Sequence, residues 1–257
     1  MDLPVNRFKR AIKAGERQIG FWTALASPVA SEIVAGAGFD WIVIDAEHGP
    51  NDVPIVLSQI QAAATGTAHV IVRPAWNDGV LFKRYLDIGV QTFLVPYVQD
   101  AAEAARAVAA TRYPPRGFRG FAAATRASGF GRISNYHSQF EDELCILVQV
   151  ETRAALGNIE AIATVNGVDG IFIGPGDLAA DLGHVGEPGH PDVVASMEDA
   201  VRRIQLAGST AGILMPDETL ARHFLELGCL FTAVGSDVGL LARGTEQVAT
   251  RFKNTAT

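Results

Sequence analysis

Lysine is scarce in this chain. Its four lysines are Lys9, Lys13, Lys83 and Lys253, none inside a stretch of strand character or at the C-terminal end of one, so chemistry through a lysine imine has no candidate nucleophile. Cysteine is scarcer still: Cys145 and Cys229 each adjoin an apolar run, which suits buried core thiols, and two cysteines alone make no thiolate metal centre. No run reaches the roughly 18 uninterrupted apolar residues of a membrane span. The opening "MDLPVNRFKRAIKAGERQIG" mixes charges through an amphipathic pattern and lacks the apolar core of a secretory signal, so a cytoplasmic protein is expected. Basic charge is also in deficit. With 21 Lys and Arg against 28 Asp and Glu, the net charge of −7 excludes the concentrated basic surface that a nucleic-acid partner needs.

What is present is a large apolar fraction, 48% against 19% charged, and no Ser-, Pro- or charge-rich segment divides the chain. A single domain over residues 1–257 is expected. Short β-rich runs recur: "QIGFWT" (18–23), "WIVID" (41–45), "HVIVRP" (69–74), "TFLVPYV" (92–98), "CILVQVE" (145–151), "GIFIG" (170–174), "AGILMP" (211–216) and "FTAVGSD" (231–237). Between most of them lie segments of helical spacing such as "DVPIVLSQIQAAA", "AAEAARAVAATR" and "VVASMEDAVRRIQLAG". Continuous apolar runs mark strands buried on both faces, as in parallel sheets. Eight such alternations favour a (β/α)8 TIM barrel over an open doubly wound sheet.

A barrel collects its functional side chains at the C-terminal ends of strands. The second strand exits into Asp45, Glu47 and His48, the third into Arg73; the fifth carries Gln149 and Glu151, the sixth exits into Gly174-Pro175-Gly176-Asp177, and the eighth into Ser236 and Asp237. His69 and Cys145 sit at strand starts and are expected only to pack. Glu151 and Asp177 end adjacent strands, so their carboxylates should converge on a cation, and hard oxygen donors suit Mg²⁺ or Mn²⁺ better than Zn²⁺. Asp177 has an ordinary alternative as a helix N-cap. A Glu ending "ILVQV" has no structural reason for burial unless paired. His48 is either a general base at the barrel mouth or a solvated loop residue. Arg73, closing a buried strand, should point its fork at a carboxylate or developing enolate. The connection 111–143, with Arg112, Arg116, Arg119, Arg126 and Arg132, suits either closure over an anionic ligand or a structural or subunit-contact role.

The combination "GFDWIVIDAEHGPND", "VRPAWND", "LVQVET", "VDGIFIGPGDLAADLG" and "TAVGSD" resembles the HpcH/HpaI family of metal-dependent (class II) pyruvate aldolases, from about Phe8 to Phe252. The resemblance implies Glu151 and Asp177 as metal ligands, with Co²⁺ a further option and no organic cofactor. It implies His48 as proton acceptor, Arg73 as transition-state stabiliser with Asp45 in the same catalytic set, and Gln149 as a substrate contact. Amides of Gly176 and Asp177 would hold the oxo-acid carboxylate, and Trp22 would line the aldehyde pocket unless it is core packing. Asp87 matches a position that raises the basicity of the histidine; it precedes the fourth strand, at the wrong end of its own barrel, so it would reach His48 from a neighbouring subunit. The family suggests a homohexamer with the C-terminal helix packed on a neighbour, acting on a small-molecule oxo acid and an aldehyde. Gly176 stands where the family often has Ala, and "ATRAS" (124–128) replaces "LARAS", which bears on acceptor specificity. A lyase of related acyl-CoA thioesters and a non-catalytic oxo-acid sensor are the alternatives.

Overall fold

In the computed structural model, which describes residues 1–253, eight parallel strands close into a barrel in the order of the chain. The first half runs α1 (Arg7–Lys13), β1 (Gln18–Thr23), α2 (Pro28–Ala35), β2 (Trp41–Asp45), α3 (Val53–Ala63), β3 (His69–Arg73), α4 (Gly79–Asp87), β4 (Thr92–Val95) and α5 (Ala101–Ala110). After a long connection containing the single-turn α6 (Tyr136–Gln139) come β5 (Cys145–Val150), the short α7 (Arg153–Gly157) and α8 (Ile159–Ala163), β6 (Gly170–Ile173), α9 (Pro175–Asp181) and α10 (Pro191–Leu206). The chain then forms β7 (Ala211–Leu214), α11 (Glu218–Leu227), β8 (Phe231–Ser236) and α12 (Asp237–Lys253). Among the described residues, no helix is long and apolar enough to cross a membrane.

The apolar runs fold as strands because both faces are covered. Every residue of β2, β4, β5 and β6 is buried. One face packs into an interior cluster built from Trp22, Val43, Ile71, Leu94, Leu147 and Phe172, the other into the layer under the helices. The run 92–98 stops being a strand at Val95, because Pro96 has no N–H for the ladder and Tyr97 turns to φ 54°.

Helix α1 closes the N-terminal end of the barrel. Phe8 meets Trp41 and Phe231 edge-on, with centroids 5.9 and 5.8 Å apart, and stacks on His69. Burial holds His69 neutral, its pKa lowered to about 4, with Nε2 2.7 Å from Thr92 Oγ1. Both cysteines are free and buried; burial pushes the Cys229 thiol up to about 12 and Cys145 higher than its ordinary range, which leaves neither as a thiolate.

The connection 111–143 leaves the C-terminal end of α5 and feeds the start of β5, so within this chain it lies on the face opposite the strand ends that carry Arg73 and Glu151. Two of its arginines bind the barrel's own underside, and the others pair within the connection. Buried Arg119 donates to Asp87 at 3.0 Å and lies over the rings of Tyr113 and Phe140, and Arg126 donates to the Ile88 carbonyl at 2.6 Å. Arg112 and Arg116 share Glu141. Closure over a ligand in its own barrel mouth is therefore excluded by position.

Helix α12 buries only its first residue, Asp237, and leaves Leu240 and Leu241 70% and 56% exposed.

Candidate active site at the strand ends

Parallel pairing of β2 with β3 sets Asp45 opposite Arg73, the last residue of each strand. The two form a bidentate pair: Nε and Nη2 of Arg73 donate to the carboxylate at 2.9 and 2.7 Å. Trp22 Nε1 adds a third bond to Asp45 at 3.1 Å, and the Trp22 ring lies under the guanidinium, 4.9 Å from its centroid. The backbone amides of Glu47 and His48 close on the remaining lone pairs of Asp45. Burial alone would raise the Asp45 pKa, but the hydrogen bonds and charge of Arg73 overcome it and hold the carboxyl below its ordinary value. Arg73 Nη1 also meets the Glu47 carboxylate at 2.7 Å. Asp45 is thus a positioning residue: it spends its oxygens fixing the arginine and the loop that follows β2.

Glu151 follows β5 directly and is 1% exposed. One carboxylate oxygen accepts the Tyr97 amide at 2.9 Å, a bond that the left-handed turn at Tyr97 makes available; the other accepts from Gln149 Nε2. Burial, with the negative charges of Asp177 and Glu47 close by, raises the Glu151 pKa to about 7 despite these bonds. Glu47 is raised as well, first by burial and then by Asp45 and Asp177, although Arg73 opposes the shift. Three carboxylates thus crowd one side of the mouth and repel one another. The buried Oε1 of Gln149 faces the same region without a hydrogen-bond partner.

Gly174 makes this packing possible. A Cβ built there would lie 2.3 Å from Glu151 Oε2 and 2.9 Å from Gln149 Nε2, whereas one at Gly176 meets nothing within 4 Å. Gly174 is also the N-cap of α9 and supplies no side-chain cap. Asp177 sits three positions further on, in the first turn and exposed, so it is not the cap residue that its sequence context allowed. Elsewhere the carboxylates and hydroxyls of Ser27, Asp52, Asp78, Asp100, Thr152 and Asp217 do cap their helices.

The structure brings together Trp22, Asp45, Arg73, Gln149 and Glu151, with Asp177 within electrostatic reach. His48 stands at the same mouth with its side chain 64% exposed, its Nε2 3.9 Å from Glu47. Asp87 ends α4 on the opposite face and pairs with Arg119, so no contact with His48 exists within the chain. Asp237 is absorbed by structure, accepting the amides of Ala24, Leu25 and Val238 to pin the loop after β1. Glu47 is a fuller participant than its loop position suggested, and the Tyr97 amide and the Gly174 gap carry no side-chain signal that a sequence could show.

Comparison with known proteins identifies the family. Residues 18–244 match the model of the HpcH/HpaI aldolase/citrate lyase family. The chain is 60% identical to a pyruvate aldolase of Rhizobium etli, over 98% of this chain and 99% of that one. It is 56% identical to a 4-hydroxy-2-oxo-heptane-1,7-dioate aldolase of Klebsiella pneumoniae, over 98% and 96% of the two chains. A crystal structure of an HpcH/HpaI aldolase/citrate lyase family protein from Burkholderia cenocepacia superimposes with a TM-score of 0.93 at 37% identity, covering 97% of this chain and all of that one. With a matching family model over most of its length and relatives at this identity, the chain belongs to the HpcH/HpaI aldolase/citrate lyase family.

Proposed function

We propose that the protein is a divalent-metal-dependent aldolase, a carbon–carbon lyase that reversibly cleaves 4-hydroxy-2-oxo acids to pyruvate or hydroxypyruvate and an aldehyde. The observation that carries this reading is the buried Glu151 carboxylate, crowded by Asp177 and Glu47 and set beside a fixed Arg73. The donor set is all oxygen, which fits Mg²⁺, Mn²⁺ or Co²⁺ held by Glu151 and Asp177. Such an ion supplies positive charge beside the carboxylate and carbonyl oxygens of the oxo acid. Arg73, unable to swing while Asp45 holds it, donates to the oxygen on which enolate charge develops. His48 accepts the proton of the C4 hydroxyl; the C3–C4 bond breaks, its electron pair passes into the enolate, and a proton returns to C3. The exposed backbone of Gly176 and Asp177 receives the substrate carboxylate, Gln149 contacts the oxo acid, and Trp22 borders the aldehyde. Asp87 of a neighbouring copy reaches His48, in a cytoplasmic homo-oligomer, a hexamer, assembled through the apolar side chains that α12 leaves exposed.

The deciding experiment incubates the protein with Mg²⁺ or Mn²⁺ and a 4-hydroxy-2-oxo acid and follows pyruvate. Release that chelator abolishes and added metal restores is expected; chelator-resistant release, or none with any oxo acid, overturns the reading. A second test separates the two glycines. Gly174→Ala pushes on Glu151 and is expected to weaken metal binding about 10- to 100-fold, whereas Gly176→Ala, with open space around it, leaves it unchanged in a calorimetric titration. Equal losses in both variants would detach Gly174 from the metal site.

A further inference from the structure

The loop between α9 and α10 holds a second cluster that the aldolase reading does not use. Backbone bonds fold it tightly: the His184 amide donates to Ala179 at 2.7 Å, Glu187 to His184 at 3.0 Å and His190 to Glu187 at 2.9 Å, with Gly183 and Gly186 at φ 91° and 81°. This lays His184 on His190, ring centroids 3.6 Å apart and planes within 16°. Asp192, in the first turn of α10, turns one carboxylate oxygen toward both rings, 3.6 Å from His184 Nε2 and 3.9 Å from His190 Nδ1. The three residues can offer ligand atoms that all lie within 4.8 Å of one another.

Two imidazole nitrogens and a carboxylate oxygen within 4.8 Å of one another are a donor set for a metal ion, which the stacked rings can share once one imidazole turns about its Cβ–Cγ bond to aim its lone pair at the ion. A tetrahedral ion with bonds of about 2.0–2.1 Å holds its donors about 3.4 Å apart, so the two imidazole-to-carboxylate separations of 3.6 and 3.9 Å close by a few tenths of an ångström as the ring turns. Among the described residues, the backbone engages these nitrogens through a 3.3 Å bond from the Asp192 amide to His190 Nδ1, which a metal bond readily replaces. Both rings are partly exposed, with side chains at 25% and 31%, so an ion can enter from solvent. Mixed nitrogen and oxygen donors select Zn²⁺ over Mg²⁺, the opposite preference to the all-oxygen mouth.

We propose that His184 Nε2, His190 Nδ1 and Asp192 form a zinc site of three protein ligands, with water completing the shell. The ion would join the loop just after α9 to the start of α10, clamping the short helix whose other end carries Gly176 and Asp177. This site does not depend on the aldolase reading.

The test uses tag-free protein carrying Glu151→Gln and Asp177→Asn, which removes the oxygen site at the mouth, titrated with Zn²⁺ in excess Mg²⁺. One Zn²⁺ per chain is expected; His184→Ala or His190→Ala in the same background should abolish that step, and Asp192→Asn should weaken it at least about 10-fold. No uptake, or uptake undiminished by His184→Ala, overturns the proposal. Should the double variant fail to fold by circular dichroism, zinc-edge absorption on the Mg²⁺-saturated parent protein decides: two imidazole nitrogens are expected, and an oxygen-only shell overturns it.

Discussion

Arg73→Ala is expected to lower turnover in oxo-acid cleavage by about 10²- to 10³-fold or more while the protein still binds divalent metal. The guanidinium is 6% exposed and cannot be replaced by solvent, and its orientation is fixed by Asp45 on one edge and Glu47 on the other. Truncation therefore removes a donor that needs no reorganisation when charge develops. It also leaves Asp45 buried and Glu47 partly buried without their cation, so a stability loss of about 3–5 kcal/mol should accompany the kinetic one. The two effects separate in Arg73→Lys. A lysine keeps the charge, relieves much of the folding penalty and cannot make the bidentate bond, so its kcat should remain far below the parent value with near-parent urea stability. Turnover close to that of the parent in Arg73→Ala would remove this arginine from the chemistry.

The barrel was legible because burial on both faces writes continuous apolar runs, and all eight runs correspond to strands within three residues at their ends. The main overrun, 92–98, came from reading apolar Tyr97 and Val98 as strand when Pro96 and the left-handed Tyr97 had already ended the ladder. Strand-end logic also located Asp45, Arg73, Gln149 and Glu151. What it could not show is how a carboxylate is spent. Asp237 and Asp45 stand at equivalent strand ends, yet one is consumed by three backbone amides and the other by an arginine. The division depends on loop backbone paths, which leave no periodic trace. The arginines of 111–143 illustrate the same limit: their charge suggested an anion, but the direction of the chain from α5 to β5 sends them to the far face. Asp87 was correctly placed at that face, where Arg119 holds it.

Glu151→Gln should make the metal-free protein more stable at alkaline pH while abolishing metal binding at the barrel mouth. An ordinary Glu ionises near 4.5, and in the fold this one does so at about 7, chiefly because it is buried and then because Asp177 and Glu47 repel its charge. Between those values the native state holds a proton that the unfolded chain has released, so stability rises as pH falls from 7 to 4.5. Above 7 the charged form burdens the fold by up to about 3 kcal/mol, a burden absent below 4.5. Glutamine never carries it. The variant should therefore exceed the parent in urea stability near pH 8, the gap narrowing as pH falls to about 4.5, both without metal. Gln149 can accommodate the change, since its unpartnered Oε1, brought round by an amide flip, would accept from the new side-chain amide. Metal reverses the ranking. The parent must release that proton to bind a cation, so its affinity should fall about tenfold per unit as pH drops below 7 and level off above it. Calorimetric titrations from pH 5.5 to 8.5 would show this slope in the parent and no comparable binding in the glutamine variant. A pH-independent affinity, or a glutamine variant no more stable than the parent at alkaline pH, would mean that Glu151 is already ionised and compensated in the metal-free fold.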